Sequence, residues 1–236
     1  MKLAFARERV LAIVAHPDDA DLLCAGTLAR ARADGAAIGI AVLCNGDKGQ
    51  PAKPIPNLAA VRRREMKAAA EVLGAELFTG EFSDATLTDA VPSRQKVTEI
   101  VRLFRPTLVL THAPEDYHPD HRAASALAEA ASWFCASRGY KTKSAPLDTS
   151  PALWWMDTLN MLGFAPGFYV DITLYQSVKE QMLGCHRSQL QRGTDQDFSP
   201  LLEVLRRQGH ARGAQCGVTA AEAFRWHNAF KRVRAF

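Results

Sequence analysis

Long apolar runs are missing from this chain. No stretch approaches ~18 apolar residues, so no helix is expected to span a membrane. The first apolar run, Leu11 to Ala15, is too short for the core of a signal peptide, and an acidic loop follows it at once. Cysteine is scarce: five in 236 residues, an odd number with no C-x-x-C pair. Three of them, Cys24, Cys44 and Cys135, lie among apolar residues and read as small core side chains. That usage argues against a disulfide framework and fits a reducing, cytoplasmic setting. Strong charge of one sign is also lacking, with a formal net charge of only +4. The Arg62-Arg63-Arg64 run and the Lys231-Arg232-Arg234 tail read as solvated surface, and no accompanying motif points to nucleic acid. There is no internal repeat beyond a recurring His-Pro-Asp, and no linker divides the chain, so a single domain over residues 1–236 is expected.

What the chain does have is an alternation of short apolar strands and amphipathic helices. Strands are expected over Val10–Ala15, Ala36–Cys44, Glu76–Thr79 and Thr107–Thr111, with helices over Leu22–Arg32, Leu58–Leu73, Ser93–Phe104 and Arg122–Ser137. The pattern loosens after Tyr140. Ala152–Met156 and Phe168–Ile172 suit further strands, and Ser177–Leu190 and Pro200–Gln208 suit helices. Alternation of this kind predicts a Rossmann-like α/β fold, an open and mainly parallel sheet with helices on both faces in three layers. Hydrophobic content of 47% supplies a core for both faces.

Two loops carry the chemistry. His16-Pro17-Asp18-Asp19 follows the first strand, and His118-Pro119-Asp120-His121 follows the fourth. In an open sheet of order 3-2-1-4-5 the first and fourth strands lie side by side where the order reverses, and ligands bind beyond their carboxyl ends. The two loops are therefore expected to meet. A dinucleotide would need a glycine-rich turn after the first strand; here Asp18, Asp19 and Asp21 would repel phosphate. Catalytic zinc takes three protein ligands and keeps one position open for water. His16, Asp19 and His121 supply two nitrogens and an oxygen, and Asp18 is left to accept a proton from that water. The plainer alternative is that Asp19 and its neighbours only cap the following helix. A second zinc pattern, H-x-H-x-D-H of metallo-β-lactamase-like hydrolases, is nearly present, with Asp116 where its first histidine should stand; that fold is a sandwich of two mixed sheets.

These motifs resemble the PIG-L/LmbE-like family of zinc-dependent N-deacetylases, which act on N-acetylglucosamine-containing compounds. Ala15-His16-Pro17-Asp18-Asp19-Ala20-Asp21 is similar to the family's A-H-P-D-D signature, with the following acidic residue one place late and Asp in place of Glu. His118 to His121 matches its H-P-D-H. Weaker likenesses are Arg62-x-x-Glu65, Asp84 with Leu87, Val170-Asp171-Ile172 followed by Lys179, His186, Ser188 and Gln189, and Glu222-Ala223-Phe224. The resemblance implies zinc on His16, Asp19 and His121, and Asp18 as general base. It implies His118 as the group that stabilises the oxyanion or protonates the amine. Arg62 and Asp84 would hold sugar hydroxyls, and Asp120 would support the site from behind, where it or a carbonyl fixes the His118 tautomer. Each has a plainer reading: Arg62 as surface, Asp84 as a local turn residue, His186 as a packed core histidine, and Trp154 and Trp155 as core aromatics. Iron or manganese could replace zinc on such ligands. Removal of an N-acetyl group from an amino sugar is the expected activity. A longer acyl chain, or a non-catalytic metal- or sugar-binding relative, is the alternative, and a trimer or hexamer is an implied assembly.

Overall fold

The computed structural model describes residues 4–195 and 199–229; the basic tail at Lys231, Arg232 and Arg234 lies outside the described residues. The strands are β1 (Arg9–Val14), β2 (Ala37–Cys44), β3 (Glu76–Phe82), β4 (Leu108–Thr111), β5 (Ala152–Met156), β6 (Phe168–Asp171) and β7 (Ala221–Trp226). The helices are α1 (Asp19–Leu23), α2 (Ala25–Ala33), α3 (Leu58–Leu73), α4 (Val91–Phe104), α5 (Pro119–Phe134), α6 (Gln176–Gly184), α7 (Arg187–Leu190) and α8 (Leu201–Cys216). One seven-stranded sheet runs in the order β3-β2-β1-β4-β5-β7-β6. The first five strands in that order are parallel, and β7 is antiparallel to both its neighbours.

β1 shows why the sheet is central. Val10, Ala12 and Val14 pack into the apolar layer under α2, α3 and α6, while Leu11, Ile13 and Ala15 pack into the layer under α4 and α5. Alternate residues of a strand point to opposite faces, so a strand covered on both sides must be apolar at every position. This is the predicted three-layer α/β fold, and β1 and β4 are adjacent with Val10 opposite Leu108 and Ile13 opposite Thr111.

Several boundaries differ from the sequence reading. The helix expected over Leu22–Arg32 begins earlier and is broken at Cys24, whose φ of −147° is not helical. The break gives α2 its own amino terminus, and the Glu222 carboxylate accepts hydrogen bonds from Gly26 N at 3.0 Å and Thr27 N at 2.7 Å. Likewise Ser177–Leu190 is not one helix, since His186 with ψ of 56° separates α6 from α7. α8 runs to Cys216 through Gly209 and Gly213. There the missing side chain is needed, because a Cβ on Gly213 would lie 2.6 Å from the Val218 carbonyl. β7 was not expected; it is a short strand in the middle of the sheet's antiparallel end, with Glu222 and Arg225 interrupting its apolar pattern.

Candidate metal centre and active site

β1 ends at Val14, and the chain turns through His16-Pro17-Asp18 into α1. β4 ends at Thr111, and its loop closes on His118, the N-cap of α5. Pro119 occupies the first turn of that helix, where its missing N–H costs nothing. The two loops meet beyond adjacent strand ends. His16 Nδ1 lies 3.3 Å from His121 Nε2 and 3.4 Å from Asp19 Oδ2, and His121 Nε2 lies 3.4 Å from Asp19 Oδ1. Tetrahedral zinc with bonds of roughly 2.0–2.1 Å separates its ligand atoms by roughly 3.3–3.4 Å. The three predicted donors thus lie together, but His16 faces one oxygen of Asp19 and His121 the other, so no single Asp19 oxygen is seen at that spacing from both rings. Each imidazole also leans on a carboxylate with its other nitrogen: His16 Nε2 on Asp120 Oδ2 at 3.1 Å, and His121 Nδ1 on Asp116 Oδ1 at 3.0 Å. Carboxylates in that position fix ring orientation and strengthen the ring as a donor. Among the described residues, three overlapping donor sets could hold a cation: His16, His118 and His121; His16, Cys44 and Asp120; and Asp19, His112 and His121.

The electrostatics reflect an excess of buried carboxylate. Burial opposes a charge on His16, but the carboxylates of Asp120 and Asp19 outweigh it and push the ring up to about 10. Burial is likewise outweighed at His121, raised to about 9 by Asp19 and Asp116. Asp19 is held well below the ordinary carboxylate range, because the charges of His121 and His112 overcome its burial. His118 moves the other way. Burial, then the charges of His121 and His16, lower its pKa, so the ring is neutral at neutral pH. Its Nδ1 accepts a hydrogen bond from Asp120 N at 3.1 Å, which places the proton on Nε2. The tautomer is thus fixed by the backbone of Asp120, while the Asp120 carboxylate serves His16 and accepts from Ala85 N at 2.8 Å.

Asp18 is set apart from the donor cluster by Arg62, whose Nη2 donates to Asp18 Oδ1 at 2.8 Å. The reading of Arg62 as solvated surface is corrected here: it is buried, whereas Arg63 and Arg64 beside it on α3 are exposed. The loop after β2 passes directly over its guanidinium. At Gly46, with φ of +71°, a Cβ would stand 2.5 Å from Arg62 Cδ, so only glycine fits. Asp84 accepts from Gly46 N at 2.8 Å and Lys48 N at 3.1 Å. Both its oxygens therefore hold that loop in place, and its carboxylate also borders the cavity. His186 is fully buried, with Nε2 3.3 Å from Asp21 Oδ1, and Trp154 is a core residue while Trp155 is half-buried.

One cavity of about 310 Å³ lies here, lined by His16, Asp18, Asp19, Arg62, His118 and His121 together with Lys48, Tyr117, Leu159, Gln189, Arg192 and Leu201. Sequence reasoning gave no role to three residues in or around the site. Asp116 was weighed only as a replacement for a histidine; it accepts from His118 N at 2.9 Å and orients His121. The open sheet rules out the metallo-β-lactamase sandwich that suggested that reading. Gln189 ties α7 to the loop after β2 by donating to the Gly49 carbonyl at 3.0 Å. His112 stacks on His121 with ring centroids 4.0 Å apart. The signal for His112 was in the sequence: like His16, it stands just past the end of a buried strand.

The sequence model of the family described as PIG-L, GlcNAc-PI de-N-acetylase, matches residues 11–132. That segment is more than half of the chain and carries both His-Pro-Asp loops. The chain belongs to the PIG-L family. A curated relative, the 1D-myo-inositol 2-acetamido-2-deoxy-alpha-D-glucopyranoside deacetylase of Rhodococcus erythropolis, is 28% identical over 184 residues, 64% of this chain. The chain spans 61% of that relative's length. A 4-oxalmesaconate hydratase of Pseudomonas putida is 25% identical over 192 residues, covering 78% of this chain and 74% of its own. Among solved structures, a conserved protein of Thermus thermophilus superposes with a TM-score of 0.81 at 30% identity, covering 97% of each chain. Family members thus share this fold and include named deacetylases of N-acetylglucosamine-type compounds. No helix among the described residues is long and apolar enough to cross a membrane.

Proposed function

We propose that this chain is a divalent-metal-dependent hydrolase that removes the acetyl group from an N-acetylated amino sugar. The observation that carries the reading is the division of roles around one cavity. Two imidazoles and the Asp19 carboxylate gather at its centre, while a carboxylate and a neutral imidazole flank them with other partners. His16, Asp19 and His121 would hold the ion, for which zinc is the first candidate. A bound divalent ion supplies Lewis acidity and a water of lowered pKa. Arg62 occupies Asp18 Oδ1, so Asp18 Oδ2 takes the proton of the attacking water. As the acetyl carbonyl becomes tetrahedral, the Nε2–H of His118 donates to the oxygen on which charge develops. The C–N bond then breaks, the proton held by Asp18 passes to the leaving nitrogen, and free amine and acetate result. Arg62 and Asp84 line the side of the cavity where sugar hydroxyls would lie.

The hydratase relative favours a second reading, in which the same apparatus adds water across a carbon–carbon double bond of a small polycarboxylate. Lys48 and Arg192 in the cavity lining suit such an anion. One experiment separates the two. The protein, with and without chelator, is offered a panel of N-acetyl amino sugars, scored by released amine, and unsaturated polycarboxylates, scored by loss of ultraviolet absorbance. Chelator-sensitive amine release supports the deacetylase; turnover confined to the polycarboxylates would refute it.

A further inference from the structure

The parallel ladder between β2 and β3 runs as far as Cys44 opposite Phe82, and Asn45 N donates to the Phe82 carbonyl at 2.8 Å just past it. The two loops that follow are joined by a reciprocal pair of carboxylates. Asp47, in the loop after β2, accepts from Asp84 N at 2.8 Å and from Ser83 Oγ at 2.6 Å. Asp84, in the loop after β3, accepts from Gly46 N at 2.8 Å and from Lys48 N at 3.1 Å. Asp84 borders the cavity, whereas Asp47 does not line it and has no part in the reaction as described. We propose that Asp47 is a positioning residue, which through this clasp fixes the loop lying over the Arg62 guanidinium and so holds Arg62 on Asp18.

Each carboxylate grips the backbone of the other's loop, so neither loop shifts without breaking bonds at both. All four bonds end on a carboxylate oxygen, which makes them the stronger, charge-assisted kind. The clasp bears directly on Arg62. A Cβ on Gly46 would stand 2.5 Å from Arg62 Cδ and 2.7 Å from Nη1, and one on Gly49 would stand 3.2 Å from Nη1. The loop therefore lies against the arginine from its stem to its end. Arg62 Nη2 donates to Asp18 Oδ1, while the buried Nε has no hydrogen-bond partner among the described residues. Packing by the loop has to supply what hydrogen bonds at Nε do not. The turn at Asp84 is itself held out of its preferred conformation. Ala85 has φ of +62°, in the left-handed region that residues with a Cβ avoid. Such backbone persists where the surroundings over-determine it. Here Asp84 N is tied to Asp47 on one side, and Ala85 N to Asp120 Oδ2 at 2.8 Å on the other. Cutting the Asp47 contacts releases one of these two restraints.

This role rests on Asp18 being the base, and its test keeps the two readings apart. Asp47→Ala removes both acceptors. Asp47→Asn keeps the shape without the charge: its amide oxygen accepts from Asp84 N, and its amide nitrogen donates to Ser83 Oγ, which can accept. Turnover is measured on whichever substrate of the panel the wild type accepts, together with metal content and hydrogen exchange at the Gly46 and Lys48 amides. Asp47→Ala should keep its metal, exchange those two amides faster and lose roughly 10–100-fold in kcat, the scale of a misplacement of about 1 Å caused far from the chemistry. Asp47→Asn should recover most of that loss. Wild-type kcat in Asp47→Ala, or an asparagine variant that folds normally and is as slow as alanine, would overturn the proposal. Should Asp47→Ala not fold, Ser83→Ala takes its place, since it removes one bond of the four and leaves both carboxylates. A smaller fall in kcat with faster exchange is expected there, and a wild-type kcat overturns the clasp. If the wild type turns over nothing, or Asp18→Asn is fully active, the assignment of Asp18 as base is at fault, and a crystal structure of Asp47→Ala or Ser83→Ala decides the clasp alone. Arg62 Nη2 displaced from Asp18 Oδ1 upholds it, and an unmoved Arg62 overturns it.

Discussion

The buried pair of Lys179 and Glu222 gives the sharpest quantitative expectation. Lys179 Nζ lies 2.7 Å from Glu222 Oε1, and both residues are almost wholly enclosed. The partners are not equivalent. Glu222 also receives Gly26 N and Thr27 N at the amino terminus of α2. In Lys179→Met the carboxylate keeps two backbone donors and the positive end of a helix. In Glu222→Ala an ammonium group is left buried without its partner and two N–H groups lose theirs. Breaking a buried pair in that way costs about 3–5 kcal/mol, and each abandoned N–H adds about 1–3 kcal/mol unless water enters. Glu222→Ala should therefore be destabilised by at least about 3 kcal/mol, and Lys179→Met by distinctly less. In a protein of this size 1 kcal/mol moves the melting temperature by about 2–4 °C, so a fall of 6 °C or more is expected for the alanine variant. Urea unfolding of the two single variants and of Lys179→Met combined with Glu222→Ala provides the assay. The double variant should be more stable than Glu222→Ala alone, because the stranded cation is gone. If Glu222→Ala lay within 1 kcal/mol of the wild type, or if the double variant were the least stable of the three, the asymmetry argued from the hydrogen bonds would be wrong.

Three other outcomes are expected. Asp18→Asn should keep its metal, measured by elemental analysis, and lose ~10²–10⁴-fold in kcat; loss of metal along with activity would instead make Asp18 a ligand. His118→Ala should lower kcat by about 10²–10³-fold with KM and metal content nearly unchanged, the usual scale for one oxyanion donor, and a variant altered only in KM would reduce His118 to a sugar contact. Asp47 accepts from Ser83 Oγ and Asp84 N, and those bonds outweigh its partial burial and lower its pKa. The stability this confers is complete above the unfolded value of roughly 3.9 and is lost as pH falls through the lower folded value. Denaturation profiles of Asp47→Asn should accordingly show a shallower loss of stability below about pH 4 than the wild type, and parallel profiles would remove Asp47 from the account.

Strand adjacency was legible because β1 and β4 are apolar at nearly every position, and only a central strand covered on both faces needs that. The meeting of His16, Asp19 and His121 followed from the same adjacency. The antiparallel end was not legible. β7 carries Glu222 and Arg225 among its apolar residues, and Glu222 is buried there because it caps α2, so no apolar run marks the strand. The break at Cys24 was hidden for the same reason, since the group that caps Gly26 and Thr27 lies 196 positions away in one case and 195 in the other. Arg62 was ambiguous within a run of three arginines, and only Asp18 and the overlying Gly46 separate it from its neighbours. The tautomer of His118 depends on a backbone N–H two residues on, which residue types alone do not specify.

The placement of the cavity has a consequence for how such a protein diversifies. Its floor is carried by the ends of β1 and β4, which are the strands least free to change. The rest of its lining is carried by separate loops and helix ends, at Lys48, Tyr117, Leu159, Gln189, Arg192 and Leu201. Substitutions at positions such as Lys48, Leu159 and Arg192 change the cavity wall without removing any candidate donor or its carboxylate partner, so what the cavity accepts can drift while the donor cluster is kept. Relatives named as a deacetylase and as a hydratase are what such a separation of donor cluster from cavity wall allows.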